Sequence, residues 1–289
     1  MSPAPGDRVV VRHLLQTGAA TDVIGRLVDD GDPVIVERDG AEHVISRSAI
    51  IAIKTVPPRP VRASEIRSLD LARARGWWSV EREWIDGWLC RAAPGIAGHR
   101  ANCATPLHPD ATLARLDGPR AWFAARGLPL RLSLSDRLIR GAPELGHLTD
   151  VLTRPAIGGS DAGVDVESRP DSAWLAATAA DESLVTAVDG AALFASIRHA
   201  GTTVAAGRLA VTADAAGNRW GGIASVAVAP DRRRRGLATR IMTVLSGVAA
   251  EAGADRLYLE VERENAAASA LYRGLGFVAH HGYGYWTEP

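Results

Sequence analysis

Residues 226–242 have the sequence VAVAPDRRRRGLATRIM, in which four consecutive arginines stand directly before Gly236. An apolar strand pattern precedes the run and a helical pattern follows it, so the arginines lie at the start of a predicted helix. The first N–H groups of a helix have no intrahelical acceptor, and the helix dipole places partial positive charge at the same end. Gly236 lets the backbone approach a ligand closely. The stretch therefore predicts an anion site suited to a pyrophosphate group.

A run of basic residues is also typical of a solvated face or of a nucleic-acid patch. The chain has 289 residues and a formal net charge of zero, which argues against a polycation that binds nucleic acid over its whole surface. The patterns GxxxxGK(S/T) and GxGxxG are both absent, so neither a P-loop nor a dinucleotide site is predicted. A local phosphate site of another kind is the preferred interpretation.

Two motifs in a fixed order carry a family resemblance. The first is R-x-x-G-x-A at Arg233, Gly236 and Ala238, behind the predicted strand SVAV. The second is NAAASALYRGLGF at residues 265–277, one predicted helix and one predicted strand further along. Together they resemble the signature of the GNAT superfamily of N-acetyltransferases, V-x-V-x-P-x-x-R-x-x-G-x-G/A followed by N-x-x-A-x-x-L-Y-x-x-x-G-F. The resemblance covers residues 164–289 closely and the middle segment loosely.

This resemblance implies an α/β (α+β) fold, a GNAT mixed β-sheet flanked by helices, with acetyl-CoA as co-substrate. It implies that the backbone of the strand before the loop binds pantetheine and that the loop amides bind the pyrophosphate. Asn265 would contact the pantetheine arm, and Tyr272 would donate a proton to the departing CoA thiolate. The cofactor-binding residues implied in this way are Val226, Ala227, Val228, Arg233, Arg234, Arg235, Gly236, Leu237, Ala238, Thr239, Asn265 and Tyr272.

The general base is less well defined. Many GNAT relatives carry a Glu on the strand before the loop, but GGIASVAV contains no carboxylate. The alternatives are Glu260 and Glu262 on the next predicted strand, Asp181 and Glu182 near the first helices, or water alone. Because strand residues alternate between faces, Glu260 and Glu262 are expected to share one face.

Residues 7–54 contain five short alternating segments separated by turn residues, which predict a small closed β-barrel. The segment resembles the SH3/Tudor-like barrels, and the proline-rich stretch TVPPRPVR at 55–62 follows it. We expect three parts: an SH3/Tudor-like barrel at 1–58, a degenerate GNAT-like or linker half-domain at 59–157, and a GNAT N-acetyltransferase domain at 158–289.

The middle segment has a predicted strand–helix–strand order. Its helix is predicted to span HPDATLARLDGPRAWFAARG at 108–127, with a weak point at the Gly-Pro pair. Four tryptophans cluster in the same segment and are interpreted as core or inter-domain packing rather than as a ligand-stacking platform: Trp77, Trp78, Trp84 and Trp88.

The cysteines, the histidines and the apolar stretches limit the possible disulfides, metal sites and membrane segments. Cys90 and Cys103 are the only cysteines, too few for a disulfide scaffold or a Cys-based zinc site. His280 and His281 are adjacent and expected on opposite sides of a strand, so no metal site is predicted. No stretch of about 18 apolar residues occurs, so we expect a cytoplasmic protein without a membrane partner.

The predicted reaction is acetyl transfer from acetyl-CoA to an amine in a ternary complex. The N-terminal barrel favours a protein lysine as the acceptor, with a DNA-associated basic protein as one option. One alternative acceptor is a small amine, such as a polyamine, an amino sugar or an antibiotic. Another alternative is a non-catalytic acyl-CoA sensor or nucleic-acid-binding module, although the net charge does not support nucleic acid.

Overall fold

The computed structural model describes residues 3–38, 40–57 and 59–289, so Pro58, where the first predicted domain ends, lies outside the described residues. The chain divides into two compact units, Met1–Pro60 and Val61–Pro289. Each unit has its own hydrophobic core and is described by itself.

The first unit is a small antiparallel sheet. Its strands are β1 (Arg8–Leu14), β2 (Ala20–Asp29), β3 (Val34–Arg38), β4 (Ala41–Ile45) and β5 (Ile50–Thr55). They pair in the order β4-β3-β2-β1-β5. Strands β4 and β5 stand at the two ends of this order, yet Ile45 of β4 and Ile53 of β5 belong to the same core. The sheet is therefore curved around its apolar face, because alternate residues of each strand must leave water together.

The second unit contains one large sheet and six helices. The helices are α1 (Ala63–Gly76), α2 (Asp117–Ala124), α3 (Ser172–Thr178), α4 (Glu182–Thr186), α5 (Leu237–Glu251) and α6 (Ala266–Gly274). The strands are β6 (Glu81–Ile85), β7 (Trp88–Ala92), β8 (Cys103–Pro106), β9 (Arg131–Ser135), β10 (Gly146–Pro155), β11 (Asp165–Glu167), β12 (Ala191–His199), β13 (Thr202–Ala213), β14 (Arg219–Val228), β15 (Arg256–Glu262) and β16 (Val278–Thr287).

The strand order of this sheet is β11-β12-β13-β14-β15-β10-β16-β9-β8-β7-β6. Strand β10 comes from the middle segment of the chain and lies between β15 and β16, antiparallel to both. The boundary predicted between residues 157 and 158 therefore falls inside one continuous sheet. The predicted architecture, a mixed sheet flanked by helices, is confirmed: β14 and β15 run parallel, whereas their neighbours run antiparallel.

Helix α5 connects these two parallel strands and positions the predicted phosphate loop. Its Ile241, Met242, Leu245 and Ala249 are fully buried in the largest core of the unit. These residues recur at helical spacing and form one apolar stripe on α5. The stripe fixes the rotation of α5 about its axis, and the loop before it is fixed as a result.

Two expectations for the middle segment are wrong. The helix predicted over 108–127 spans only Asp117–Ala124, because Pro119 is accepted in the first turn of a helix but not in its interior. Trp88 is completely buried, whereas Trp84 is 51% exposed and is not a core residue. Trp84 lies on β6, the strand at one edge of the sheet, where one face remains open to solvent.

Candidate active site

Strands β14 and β15 separate within the sheet. Their parallel pairing runs from Trp220 opposite Arg256 to Ile223 opposite Leu259. Beyond this point β14 continues to Val228 and pairs with β13. Ser225 has φ +52° at a register shift against β13, which marks a β-bulge, and bulges bend the strand that carries them. A gap between β14 and β15 therefore opens beside the segment predicted to bind pantetheine.

The arginine loop follows this segment. Arg234 and Gly236 both have left-handed backbone conformations, with φ of +59° and +77°. Such residues turn successive N–H groups toward one concavity, which is a common anion cradle. The first backbone bond of α5 runs from Arg240 N–H to the Gly236 carbonyl over 3.1 Å. The N–H groups of the three residues between them have no intrahelical acceptor and point out of the helix end.

The arginine side chains differ in their contacts. Arg232 forms an ion pair with Asp231 at 3.2 Å, and Arg233 Nε donates a hydrogen bond to the Val228 carbonyl at 3.4 Å. Within the described part of the chain, Arg234 and Arg235 have no ion-pair partner and are exposed. Contacts with nearby residues therefore engage Arg232 and Arg233, whereas Arg234 and Arg235 can bind a negatively charged ligand.

A cavity of about 400 Å³ lies at the end of β15, next to the gap. The predicted site residues Tyr272, Asn265, Glu260 and Glu262 all line it. Tyr272 packs with the core beneath α5 and α6, whereas Glu260 points to the opposite face of the sheet and contacts α1. The cavity is thus lined from both faces of the sheet, which the separation of β14 and β15 allows.

Asn265 and Tyr272, two of these lining residues, belong to α6 and its N-terminal cap. Asn265 caps the helix, because its side-chain oxygen accepts a hydrogen bond from the Ala268 N–H at 3.1 Å. Its amide NH₂ remains available to a ligand. Tyr272 is half-buried against Phe277, with ring centroids 6.1 Å apart, and burial raises its pKa. Its phenol therefore stays protonated across the neutral range and can serve as a proton donor.

Glu260 is surrounded by cations. It accepts a hydrogen bond from Arg73 Nε at 2.6 Å and one from the Tyr283 hydroxyl at 3.0 Å, and it forms an ion pair with Arg100. Burial alone would raise its pKa, but the two arginines outweigh burial and lower the pKa to about 2. Both of its oxygens are occupied, which makes Glu260 a weak proton acceptor. Glu262 lies on the same strand face and is exposed.

A buried network continues from Glu260 into the protein. Asp70 on α1 pairs with Arg73, accepts a hydrogen bond from the Ser135 hydroxyl at 2.6 Å, and lies 3.0 Å from His281 Nε2. Burial opposes the charge on Asp70, but His281 and Arg73 together hold its pKa well below the usual range. The network ties α1, β9, β15 and β16 into one rigid wall on this face.

The histidine pair at the end of this network corrects an expectation. His280 and His281 do not point to opposite sides of β16, because their Nδ1 atoms are 2.7 Å apart. The register between β10 and β16 shifts here, with Val151 opposite His281 and Leu152 opposite Ala279. The resulting bulge removes the strict alternation on which the prediction rested.

The structure does not bring all the predicted residues into this cavity. Val226, Ala227, Val228 and Arg233 line a separate groove of about 550 Å³ beside α3. Asp181 starts α4 by accepting a hydrogen bond from the Ser183 N–H at 2.9 Å, and neither it nor Glu182 lines either space.

Several lining residues were missed by sequence reasoning: His99, Arg100, His147, Thr149, Tyr283 and Tyr285. They come from the β7–β8 connection, from β10 and from β16, which are far apart in the chain. Only the alternation Tyr283-Gly-Tyr285 offers a local signal, because it places two aromatic rings on one face of the last strand.

Comparison with known proteins decides the family. A family model described as "Probable histone acetyltransferase Rv0428c C-terminal" matches residues 63–286. A protein of Mycobacterium tuberculosis (strain ATCC 25618 / H37Rv) named "Probable histone acetyltransferase Rv0428c" is 35% identical over 290 residues, covering 96% of this chain and 94% of the relative. The chain belongs to the Rv0428c acetyltransferase family.

The N-terminal unit of this Rv0428c-family protein matches a second model, "Rv0428c N-terminal Sm-like domain", over residues 3–54. The predicted small β domain is confirmed, and the matching type is Sm-like. The predicted acetyltransferase class is confirmed as well, and GNAT acetyltransferases use acetyl-CoA as acyl donor.

Two solved structures share the fold. A GCN5-related N-acetyltransferase from Kribbella flavida has a TM-score of 0.59 at 19% identity, covering 78% of this chain and 95% of its own. A protein assigned to the GNAT family from Novosphingobium aromaticivorans DSM 12444 has a TM-score of 0.51 at 21% identity, covering 79% and 95%. Both matches confirm the GNAT fold of the Rv0428c-family chain.

Two further findings concern metals and membranes. Across residues 3–38, 40–57 and 59–289, no group of three or more His, Cys, Asp or Glu side chains is placed to hold a metal ion. Among the described helices, none combines the length and the apolar content needed to cross a membrane. The cytoplasmic location stays a prediction.

Proposed function

We propose that this acetyltransferase moves the acetyl group of acetyl-CoA to an amine by direct attack, and that the cavity at the end of β15 is the place of reaction. The observation that carries the proposal is the lining of this cavity from both faces of the sheet. Tyr272 is on the face of α5 and α6, which would receive the cofactor. Glu260 and Glu262 are on the other face, which would receive the amine.

The loop before α5 would hold the pyrophosphate. The free N–H groups of Leu237, Ala238 and Thr239 provide donors, and the exposed Arg234 and Arg235 add positive charge. The pantetheine arm would follow the backbone of Val226 to Val228, where β14 has no hydrogen-bonded neighbour on the β15 side. The Asn265 amide would donate to the same arm.

The protein would then contribute alignment and charge stabilisation. Backbone N–H groups along the separated part of β14 can donate to the oxyanion that forms on amine attack, with a loss of about 3 kcal/mol when one such donor is removed. Holding both reactants in line lowers the barrier further by avoiding the entropy cost of a bimolecular step. The Tyr272 phenol can donate its proton to the departing thiolate.

The cofactor part of the proposal is tested by Gly236→Val. A β-branched residue is strained at φ +77°, by about 1–2 kcal/mol, so the loop should leave its anion-binding shape. We expect the dissociation constant for acetyl-CoA, measured by titration calorimetry, to rise about tenfold or more. Gly217→Val is the matched control, since Gly217 also has a left-handed φ of +85° but lies in the turn between β13 and β14. Equal weakening in both variants would contradict a phosphate role for the loop.

We further propose a protein lysine as the acceptor. The support is the name of the M. tuberculosis relative, a probable histone acetyltransferase, together with the Sm-like unit, which adds a second surface for a partner. In this division of labour, residues 1–58 would recruit the partner and 158–289 would bind the cofactor, while 59–157 would form the acceptor wall together with β15 and β16.

A panel of acceptors distinguishes this proposal from its alternatives. Release of CoA is measured with lysine peptides, a basic DNA-associated protein, polyamines and amino sugars. We expect turnover with the protein and peptide acceptors, and a loss of preference for the protein when residues 1–58 are removed. Turnover with polyamines or amino sugars alone would replace the lysine proposal by a small-amine acceptor. Tight acetyl-CoA binding without any turnover would instead support an acyl-CoA sensor.

A further inference from the structure

Two histidines stand together on the acceptor side of the cavity. His99 lies in the connection between β7 and β8, and His147 lies on β10. Their ring centroids are 4.2 Å apart, and the His99 ring lies 5.1 Å from that of Tyr285. All three rings line the cavity that also holds Tyr272. The proposed acetyl transfer gives no role to either histidine.

The orientation of His147 is enforced by the backbone. His147 has φ +50°, a left-handed conformation that costs a non-glycine residue free energy and persists only where the surroundings impose it. The register between β10 and β16 shifts between Gly146 and Thr149, on either side of this residue. The shift turns the His147 ring toward His99 rather than leaving it in the regular pattern of the strand.

Groups from several elements face His99. Arg131 of β9 and His147 of β10 disfavour a charged imidazole, Glu262 of β15 favours one, and Tyr285 of β16 covers one side of the ring. Arg100 is the next residue, and its charge is matched by Glu260. Burial, Arg131 and His147 together outweigh Glu262, so the pKa of His99 lies below its ordinary value. His99 is therefore uncharged at neutral pH and free to accept a proton.

The other candidate bases on this face are less suited. Glu260 has both oxygens engaged by Arg73, Arg100 and Tyr283. Glu262 is exposed at the rim, where water competes for its oxygens. In the described part of the chain, no hydrogen bond engages either ring nitrogen of His99, so both remain available to an incoming amine or to one bridging water.

We propose that His99 is the general base of the acetyl transfer and that His147 positions its ring. The proposal rests on the proposed function. The neutral amine forms a C–N bond to the thioester carbonyl, and His99 takes one proton from the attacking nitrogen. Collapse of the tetrahedral adduct breaks the C–S bond, and the thiolate takes the Tyr272 proton. His99 then loses its proton to solvent, and Tyr272 regains one.

The test uses the full chain and His99→Gln, with kcat/KM measured from pH 5.5 to 9. We expect a loss of about 100-fold at pH 7, with the acetyl-CoA dissociation constant unchanged. In the wild type the rate should fall as pH drops through the pKa of His99, because only the neutral imidazole accepts a proton. The rate of His99→Gln should lack this inflection and should rise steadily with pH as the ammonium form of the acceptor loses its proton. His108→Gln is the control, since His108 is exposed and outside the cavity.

Added imidazole distinguishes a base from a structural residue. His99→Gly should regain activity with imidazole in proportion to the neutral form of that base, which a packing defect would not show. An unchanged inflection in His99→Gln, or its loss in Glu262→Gln instead, would overturn the proposal. An NMR titration that finds His99 protonated at pH 7 would overturn it independently of any acceptor. Absent turnover in the wild type with every amine would refute the proposed function itself, which is a separate result.

Discussion

Replacing Tyr272 by Phe is expected to lower kcat by about 100-fold and to leave the dissociation constant for acetyl-CoA within about twofold. The substitution removes the hydroxyl alone, and the ring retains its packing against Phe277. Because burial raises the pKa of Tyr272, the phenol carries its proton throughout the pH range of the assay. Without this donor, the thiolate must leave unprotonated or wait for water.

The measurement is a pre-steady-state assay of CoA release with saturating acetyl-CoA. Tyr258→Phe is the matched control, because Tyr258 is buried in the core on the α1 face and does not line the cavity. An equal fall of kcat in both variants would point to a general defect of the sheet. An undiminished kcat in Tyr272→Phe would remove Tyr272 from the chemistry.

Replacing Glu260 by Gln is expected to lower the free energy of unfolding of the second unit by about 3 kcal/mol. The side chain of Glu260 is only 7% exposed. Its loss of charge removes the carboxylate that pairs with Arg100 and one of the two carboxylates that pair with Arg73, which keeps Asp70. Urea unfolding followed by tryptophan fluorescence measures this effect. All eight tryptophans lie between residues 77 and 286, so the signal reports the second unit alone.

The same substitution should change the response to acid. A carboxyl group with a depressed pKa adds stability above its ordinary pKa of 4.5, and that stability is lost as pH falls toward its folded value of about 2. Wild-type stability should therefore decrease between these two values, and less steeply in Glu260→Gln. Glu262→Gln is the control on the same strand face, with an expected change within about 0.5 kcal/mol. Equal stability of Glu260→Gln and wild type would contradict the network.

The parts of the site that sequence reasoning found are local in the chain. Gly236 and the helix after it follow from the needs of a helix start. Asn265 and Tyr272 follow from the spacing of one continuous motif. The acceptor wall is not local. Glu260 is one of the candidate bases in the sequence, but its partners Arg73 and Arg100 lie on distant elements, and only the folded sheet brings them together.

Two kinds of feature escaped prediction for physical reasons. His280 and His281 lie at a β-bulge, which breaks the two-residue alternation of the strand, and the amino-acid sequence contains no motif that marks this bulge. His99 in the β7–β8 connection meets His147 of β10 although β16 and β9 lie between β10 and β8 in the sheet, and no periodicity encodes this placement. Strand order depends on the summed packing of all strands, and a single sequence shows each strand only by itself.

The place of β10 has a consequence for how the chain acquires its shape. During synthesis from the N-terminus, Thr149 emerges long before Glu262 and Tyr283, the residues that flank it in the finished sheet. One edge of β10 stays unpaired until β15 has been synthesised, and the other until β16 has been synthesised. Contacts between such distant positions slow folding, and an unpaired strand is exposed to other chains meanwhile. Truncation at the C-terminus, even by the length of β16, should therefore leave a nascent chain that aggregates rather than a smaller enzyme.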